Sequence, residues 1–201
     1  MGHRSYRKPE DPDGGVVTSL VPTPGQTVGP FFGYALPFDR DNELVPLSHP
    51  SAVRLHGRVT DGNGVGVPDA LLELWQAAPD GSVVQQDGSL RRDGWTFTGW
   101  GRASTDADGG YVFTTLRPGA TDAGRAPFFA VTVFARGLLN RLFTRAYLPD
   151  DAEALADEPL LASLDAGRRA TLVCRTDEHG YAFDVVLQGD AETVFLRYPG
   201  Q

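Results

Sequence analysis

The chain has 201 residues, a formal net charge of −8, and 41% hydrophobic against 22% charged residues. That length suits one domain with a full core, and the acidity argues against nucleic acid or an anionic membrane as the main partner. The lone cysteine, Cys174, excludes an internal disulfide and a Cys-x-x-Cys zinc site and points to a reducing, cytoplasmic setting. No apolar run reaches the roughly 18 residues of a membrane span.

Residues 1–15, MGHRSYRKPEDPDGG, read as a flexible N-terminal arm without the apolar stretch of a signal peptide. Residues 16–52 follow as an extended segment, too rich in proline (Pro22, Pro24, Pro30, Pro37) for a helix and too apolar for a free linker. It is expected to pack on a partner chain. From residue 53 to 201 the pattern is that of a β-sandwich domain. VRLHGRVT alternates and meets the turn DGNG. DALLELWQA is the next strand, with Leu72, Leu74 and Gln76 on one face and Glu73 and Trp75 on the other. Residues 78–101 are irregular. GRAST leads into the turn DADGG, and then YVFTTLRPG, APFFAVTVFARG and RLFTRAYL read as strands. One short helical segment is expected over 151–165, with Pro159 at a first helical position. ATLVCR and YAFDVVLQ, joined by TDEHG, close the chain as a hairpin. Short strands, close turns and little helix predict an all-β, two-sheet sandwich with long loops.

Chemistry is sparse. His3, His49, His56 and His179 form no His-x-His, His-x-x-x-His or His-Glu-x-x-His. DADGG at 106–110 opens like a calcium loop, but its twelfth position is Arg117, where a bidentate Glu is needed. No nucleophile elbow or phosphate loop is present. The strand within residues 125–137 holds attention because it is apolar throughout yet ends on a guanidinium. Alternation places Phe128, Ala130, Thr132, Phe134 and Arg136 on one face and Phe129, Val131, Val133 and Ala135 on the other. Arg136 is either a strand-end charge reaching water or a residue with a task.

TPGQTVGPFF (23–32), LLELWQA (71–77), STDADGGYVFTTLRPG (104–119), VFARGLLNRLFTRAYLPDD (133–151) and LQGDAETVFL (187–196) together resemble the intradiol ring-cleavage dioxygenase family, and within it the alpha chains of two-chain enzymes. The resemblance covers residues 23–198, and its two terminal motifs are the most specific. It implies a β-sandwich of the intradiol type that pairs with a homologous beta chain in αβ protomers of a larger oligomer. It further implies that the pair cleaves 3,4-dihydroxybenzoate (protocatechuate) with O2 to 3-carboxy-cis,cis-muconate in aromatic catabolism. It also implies that Fe(III) is bound by the partner beta chain, through two tyrosines and a His-x-His pair on a strand. The histidine places fall here on Phe128 and Ala130, and the tyrosine places near Val83 and Thr121. Those side chains would be relics of a metal site, and the chain would not be active alone. What the resemblance assigns to this chain is substrate contact by Thr27, Gly29, Pro30, Phe31 and Arg136. Phe31 stands where many relatives carry tyrosine. A competing reading from a different class is a non-enzymatic, prealbumin-like or adhesin-type binding module, which would account for the middle strands but not for the terminal motifs.

Overall fold

A computed structural model describes residues 32–84 and 92–198. In chain order the elements are α1 (Phe32–Ala35), β1 (Ala52–Thr60), β2 (Leu71–Trp75), β3 (Trp100–Ser104), β4 (Gly110–Leu116), β5 (Phe128–Phe134), β6 (Leu142–Tyr147), α2 (Ala152–Asp157), α3 (Pro159–Ala162), α4 (Ala166–Ala170), β7 (Arg175–Asp177), β8 (Gly180–Ala182) and β9 (Val185–Val186). They form two sheets. One runs β4-β1-β8-β7, with β9 also pairing to β1; the other runs β3-β2-β5-β6. The all-β sandwich read from alternation is the architecture found.

The inward faces follow the period of two. Leu55 and Val59 of β1, Leu72 and Leu74 of β2, Tyr111 and Phe113 of β4, and Phe129, Val131 and Val133 of β5 meet in one core. Those of β2 and β5 expose 1% of their surface or less, so a one-residue slip of either strand would expose the whole set. Gly57 in β1 is required by close approach: a Cβ there would lie 1.9 Å from the carbonyl oxygen of Phe183, whose N–H donates to the carbonyl of His56. A smaller cluster of Ala126, Tyr147, Leu155, Leu161, Leu172 and Val194 fixes the helices against the end of β6.

Several details differ from the sequence reading, the first being that the segment read as extended over 16–52 contains the short helix α1, which starts after Pro30 and ends before Pro37. The helical segment is three short helices. Pro159 does begin α3, but Asp165 caps a further helix by accepting from the Arg168 N–H at 2.9 Å. That helix consumes the start of ATLVCR, so the closing hairpin is the short β7–β8 pair. Its turn is held by Asp177 Oδ1, which accepts from the N–H groups of His179 and Gly180. Finally, residues 42–45 belong to this chain's own sandwich. Glu43 bridges Thr114 along the β4 edge, and Leu44, 3% exposed, joins the core. The own-chain packing therefore begins before residue 53.

Candidate functional site

Four of the sequence-derived positions come together. Val83, Thr121, Phe128 and Ala130 line a single cavity of about 300 Å³, with Trp75, Gln76 and Gly119 among the other walls. Phe128 and Ala130 lie two apart on β5, on the face turned away from the core. Val83 is brought in by a small loop, in which Ala77 bridges Val83 and the Ala78 N–H donates to Ser82. Thr121 arrives on the loop after β4, tied to the first loop because the Gly119 N–H donates to the Ala78 carbonyl. Residues distant in sequence thus converge through ordinary strand pairing: Ala130 is opposite Trp75 on one side and Arg145 on the other.

The chemistry of this cavity is apolar. Gln76 is the one amide in the wall among the described residues, and it is already engaged: Nε2 donates to the carbonyl of Leu116 at 2.9 Å, and Oε1 accepts from Thr115 Oγ1 at 2.5 Å. The Arg145 guanidinium, 4.3 Å from the centre of the Phe128 ring, stacks on it and donates to the Tyr147 hydroxyl at 3.1 Å. A ferric site needs anionic oxygen or imidazole donors. Valine, phenylalanine and alanine offer none, and Thr121 has only a neutral hydroxyl, so the four residues do not fit an iron ion. Among the described residues no group of three or more His, Cys, Asp or Glu side chains could hold any metal. Cys174, the one thiol, is buried and its pKa is pushed up to about 12 by desolvation, so it is no nucleophile.

Arg136 stands at the opposite end of β5. The strand ends at Phe134, and Arg136 is therefore not on its face as alternation suggested. It occupies the second position of a turn closed by the Leu138 N–H on the Ala135 carbonyl, with Gly137 third at φ 87°. A positive φ at that position is what a type II turn demands, and glycine supplies it. The side chain is 66% exposed, and its Nε lies 2.7 Å from Asp69 Oδ2. Thr27, Gly29, Pro30 and Phe31 lie outside the described residues. The chain after them is held nearby: Phe32 packs on Phe134 at 6.2 Å between ring centres. The Leu36 carbonyl accepts from Arg102 Nη1 at 2.6 Å, and Arg102 in turn pairs with Glu73 at 2.6 Å.

Sequence reading missed the partners in these contacts. Asp69 and Arg136 are 67 positions apart, and nothing in either motif announces the pair. Glu73 and Arg102 face each other only because β2 and β3 pair in that register. His56, which showed no partner in sequence, lies 3.1 Å from Asp177 Oδ1 across the sheet.

The family model described as Dioxygenase matches residues 27–189. The chain belongs to that family. The match begins at Thr27, inside the Gln-Thr-x-Gly-Pro segment, and ends beyond the last strand. The chain is 40% identical over 197 residues to the protocatechuate 3,4-dioxygenase alpha chain of Burkholderia cepacia, covering 90% of this chain and 99% of the relative. To the alpha chain of Pseudomonas putida it is 36% identical, covering 89% and 98%. Its likeness to the Burkholderia cepacia beta chain is 36% over only 70% of this chain and 66% of the relative. A dioxygenase domain from Streptomyces sp. SirexAA-E superimposes with a TM-score of 0.50 at 27% identity, covering 87% of this chain and all of that domain. Catechol 1,2-dioxygenase from Acinetobacter shares the fold with a TM-score of 0.50 at 22% identity. Family membership replaces the alternative of a prealbumin-like or adhesin-type binding module.

Proposed function

We propose that this chain is the iron-free alpha subunit of a two-chain protocatechuate 3,4-dioxygenase. Its partner would be a homologous beta chain carrying Fe(III), in αβ protomers of a larger assembly. The observation that carries the reading is a conjunction. The chain matches alpha chains over nearly their whole length, and the four positions that the resemblance aligns with iron ligands line a cavity with no suitable donor among the described residues. Intradiol dioxygenases are non-haem iron enzymes, so the oxygen chemistry belongs to the partner. The share of this chain is binding and orientation, in the cytoplasmic setting that its lone buried thiol favours.

An aromatic acid that enters a pocket closed from water brings a carboxylate that must find donors, since an unpaired buried charge is costly. Arg136 supplies a planar guanidinium that stays protonated and can present two parallel N–H groups. The resemblance assigns substrate contact to Thr27, Gly29, Pro30 and Phe31 as well. The test is Arg136→Ala in the reconstituted two-chain enzyme, with kcat/KM measured for protocatechuate and for plain catechol. Loss of a hydrogen bond to a charged group is worth about 1.5–3 kcal/mol, so the preference for the carboxylated substrate should fall roughly ten- to a hundredfold. An unchanged ratio between the two substrates would remove Arg136 from the pocket.

A further inference from the structure

The carboxylate beside Arg136 belongs to a residue in an uncommon backbone conformation. Asp69 has φ 62°, a left-handed value that aspartate and asparagine adopt more readily than most side chains and glycine most readily of all. The residue precedes β2, and its place in the fold is set from two directions. Its carbonyl and Cβ lie against α1, close enough that a Cβ on Gly33 would approach them to 3.7 and 3.8 Å. Its Oδ2 lies 2.7 Å from Arg136 Nε. The other oxygen, Oδ1, is buried and has no hydrogen-bond partner among the described residues. Arg136 likewise makes no other ion pair among them.

A guanidinium has two useful edges. The Asp69 carboxylate is ion-paired close to Nε without an aligned N–H···O bond, and Nη1 and Nη2 make no ion pair or hydrogen bond among the described residues, which leaves the terminal edge to meet a second anion in the plane. Arginine on an exposed turn has several freely rotating bonds, so an unheld guanidinium would sample many directions and lose affinity on being ordered by a ligand. A carboxylate fixed by a strained backbone and packed under α1 is a rigid anchor for such a side chain. We propose that Asp69 is a positioning residue for Arg136. Its charge holds the guanidinium on one side, so that the terminal edge stays available to the carboxylate of the aromatic acid. This rests on the reading that Arg136 meets that carboxylate, and it adds that the preference for carboxylated substrates is built by two residues of this chain, one of which never touches substrate.

The experiment is a double-mutant cycle in the reconstituted two-chain enzyme: wild type, Asp69→Gly, Arg136→Ala and the double variant. Each is assayed for kcat and KM with protocatechuate and with catechol. Glycine removes the carboxylate at a position whose φ it accepts without strain, so the fold is retained; should that variant fail to assemble, Asp69→Asn tolerates the same φ and carries the same comparison. The expected result for Asp69→Gly is a KM for protocatechuate raised roughly three- to tenfold. Its kcat and its catechol kinetics should be little changed, and it should have no further effect once Arg136 is alanine. The proposal is overturned if Arg136→Ala lowers the preference while Asp69→Gly leaves it intact. It is equally overturned if Asp69→Gly harms both substrates alike and adds to Arg136→Ala. If Arg136→Ala itself leaves the preference unchanged, the reading beneath the proposal fails and the anchor has nothing to position.

Discussion

At one end of β5, Phe128 and Ala130 face a cavity walled by Trp75, Val83 and Thr121. At the other, seven residues on, the Ala135–Leu138 turn lifts Arg136 into solvent against Asp69. One short strand carries both. The first end has the geometry of a site and no chemistry; the second has chemistry and little enclosure of its own. A cavity whose polar wall is already satisfied and whose other walls are apolar can do structural work. An exposed guanidinium ion-paired to a carboxylate is enclosed, in the proposed reading, only when another surface closes over it. The difference is what the proposed role asks of this chain, which is to complete a pocket rather than to contain one.

The largest effect that could break this comparison is all-or-none. The chain purified without a companion should carry iron far below stoichiometric and show no tyrosinate-to-iron absorption in the visible. Metal analysis that finds one tightly held iron per chain would return chemistry to the first end.

The next effect concerns what supports the second end. Arg102 and Glu73 form a largely buried pair, with side-chain exposures of 10% and 18%, and Arg102 also binds the Leu36 carbonyl behind α1. Breaking a buried pair from one side leaves a charge uncompensated, so Arg102→Ala should destabilise the fold by about 3–5 kcal/mol in denaturant titration. A loss below about 1 kcal/mol would mean that α1 is held by other contacts.

Smaller again is the filled end. Phe128 packs on Tyr147 with ring centres 5.5 Å apart and lies under Arg145. Phe128→Ala should cost about 3 kcal/mol of stability, the low end for such truncations because the ring is only half-buried, while leaving the substrate preference of the assembled enzyme unchanged. A shift in that preference would show that the cavity communicates with the pocket. The mirror image is Arg136→Ala. Arg136 is 66% exposed in its pair with Asp69, so the pair should be worth no more than about 1 kcal/mol to the fold and thermal denaturation should barely move while selectivity falls. If stability and selectivity fell together, the two ends of β5 would not be separable.

The alternation in β1, β2, β4, β5 and β6 was legible because one face of each is buried in the sandwich and burial enforces a period of two. The apolar strand Phe128–Phe134 was legible for the same reason. Its turn was not. Strand periodicity carries no information about where pairing stops, and Gly137 was the only local sign that the chain leaves the sheet before Arg136. The split of the helical segment was hidden because α4 depends on a single cap, Asp165 on Arg168. Asp69, Glu73 and Asp177 were ordinary acidic residues until the pairing of strands set an arginine or a histidine against each.

By itself the sequence determined the sandwich, through alternating burial, and which apolar side chains stand at Val83, Phe128 and Ala130. Only the tertiary structure decided that Val83, Thr121, Phe128 and Ala130 share one cavity and that Asp69 meets Arg136. Composition and local pattern fix which side chains face inward, but contacts between residues many positions apart depend on strand register and loop closure, and those are settled by the packing of the whole chain.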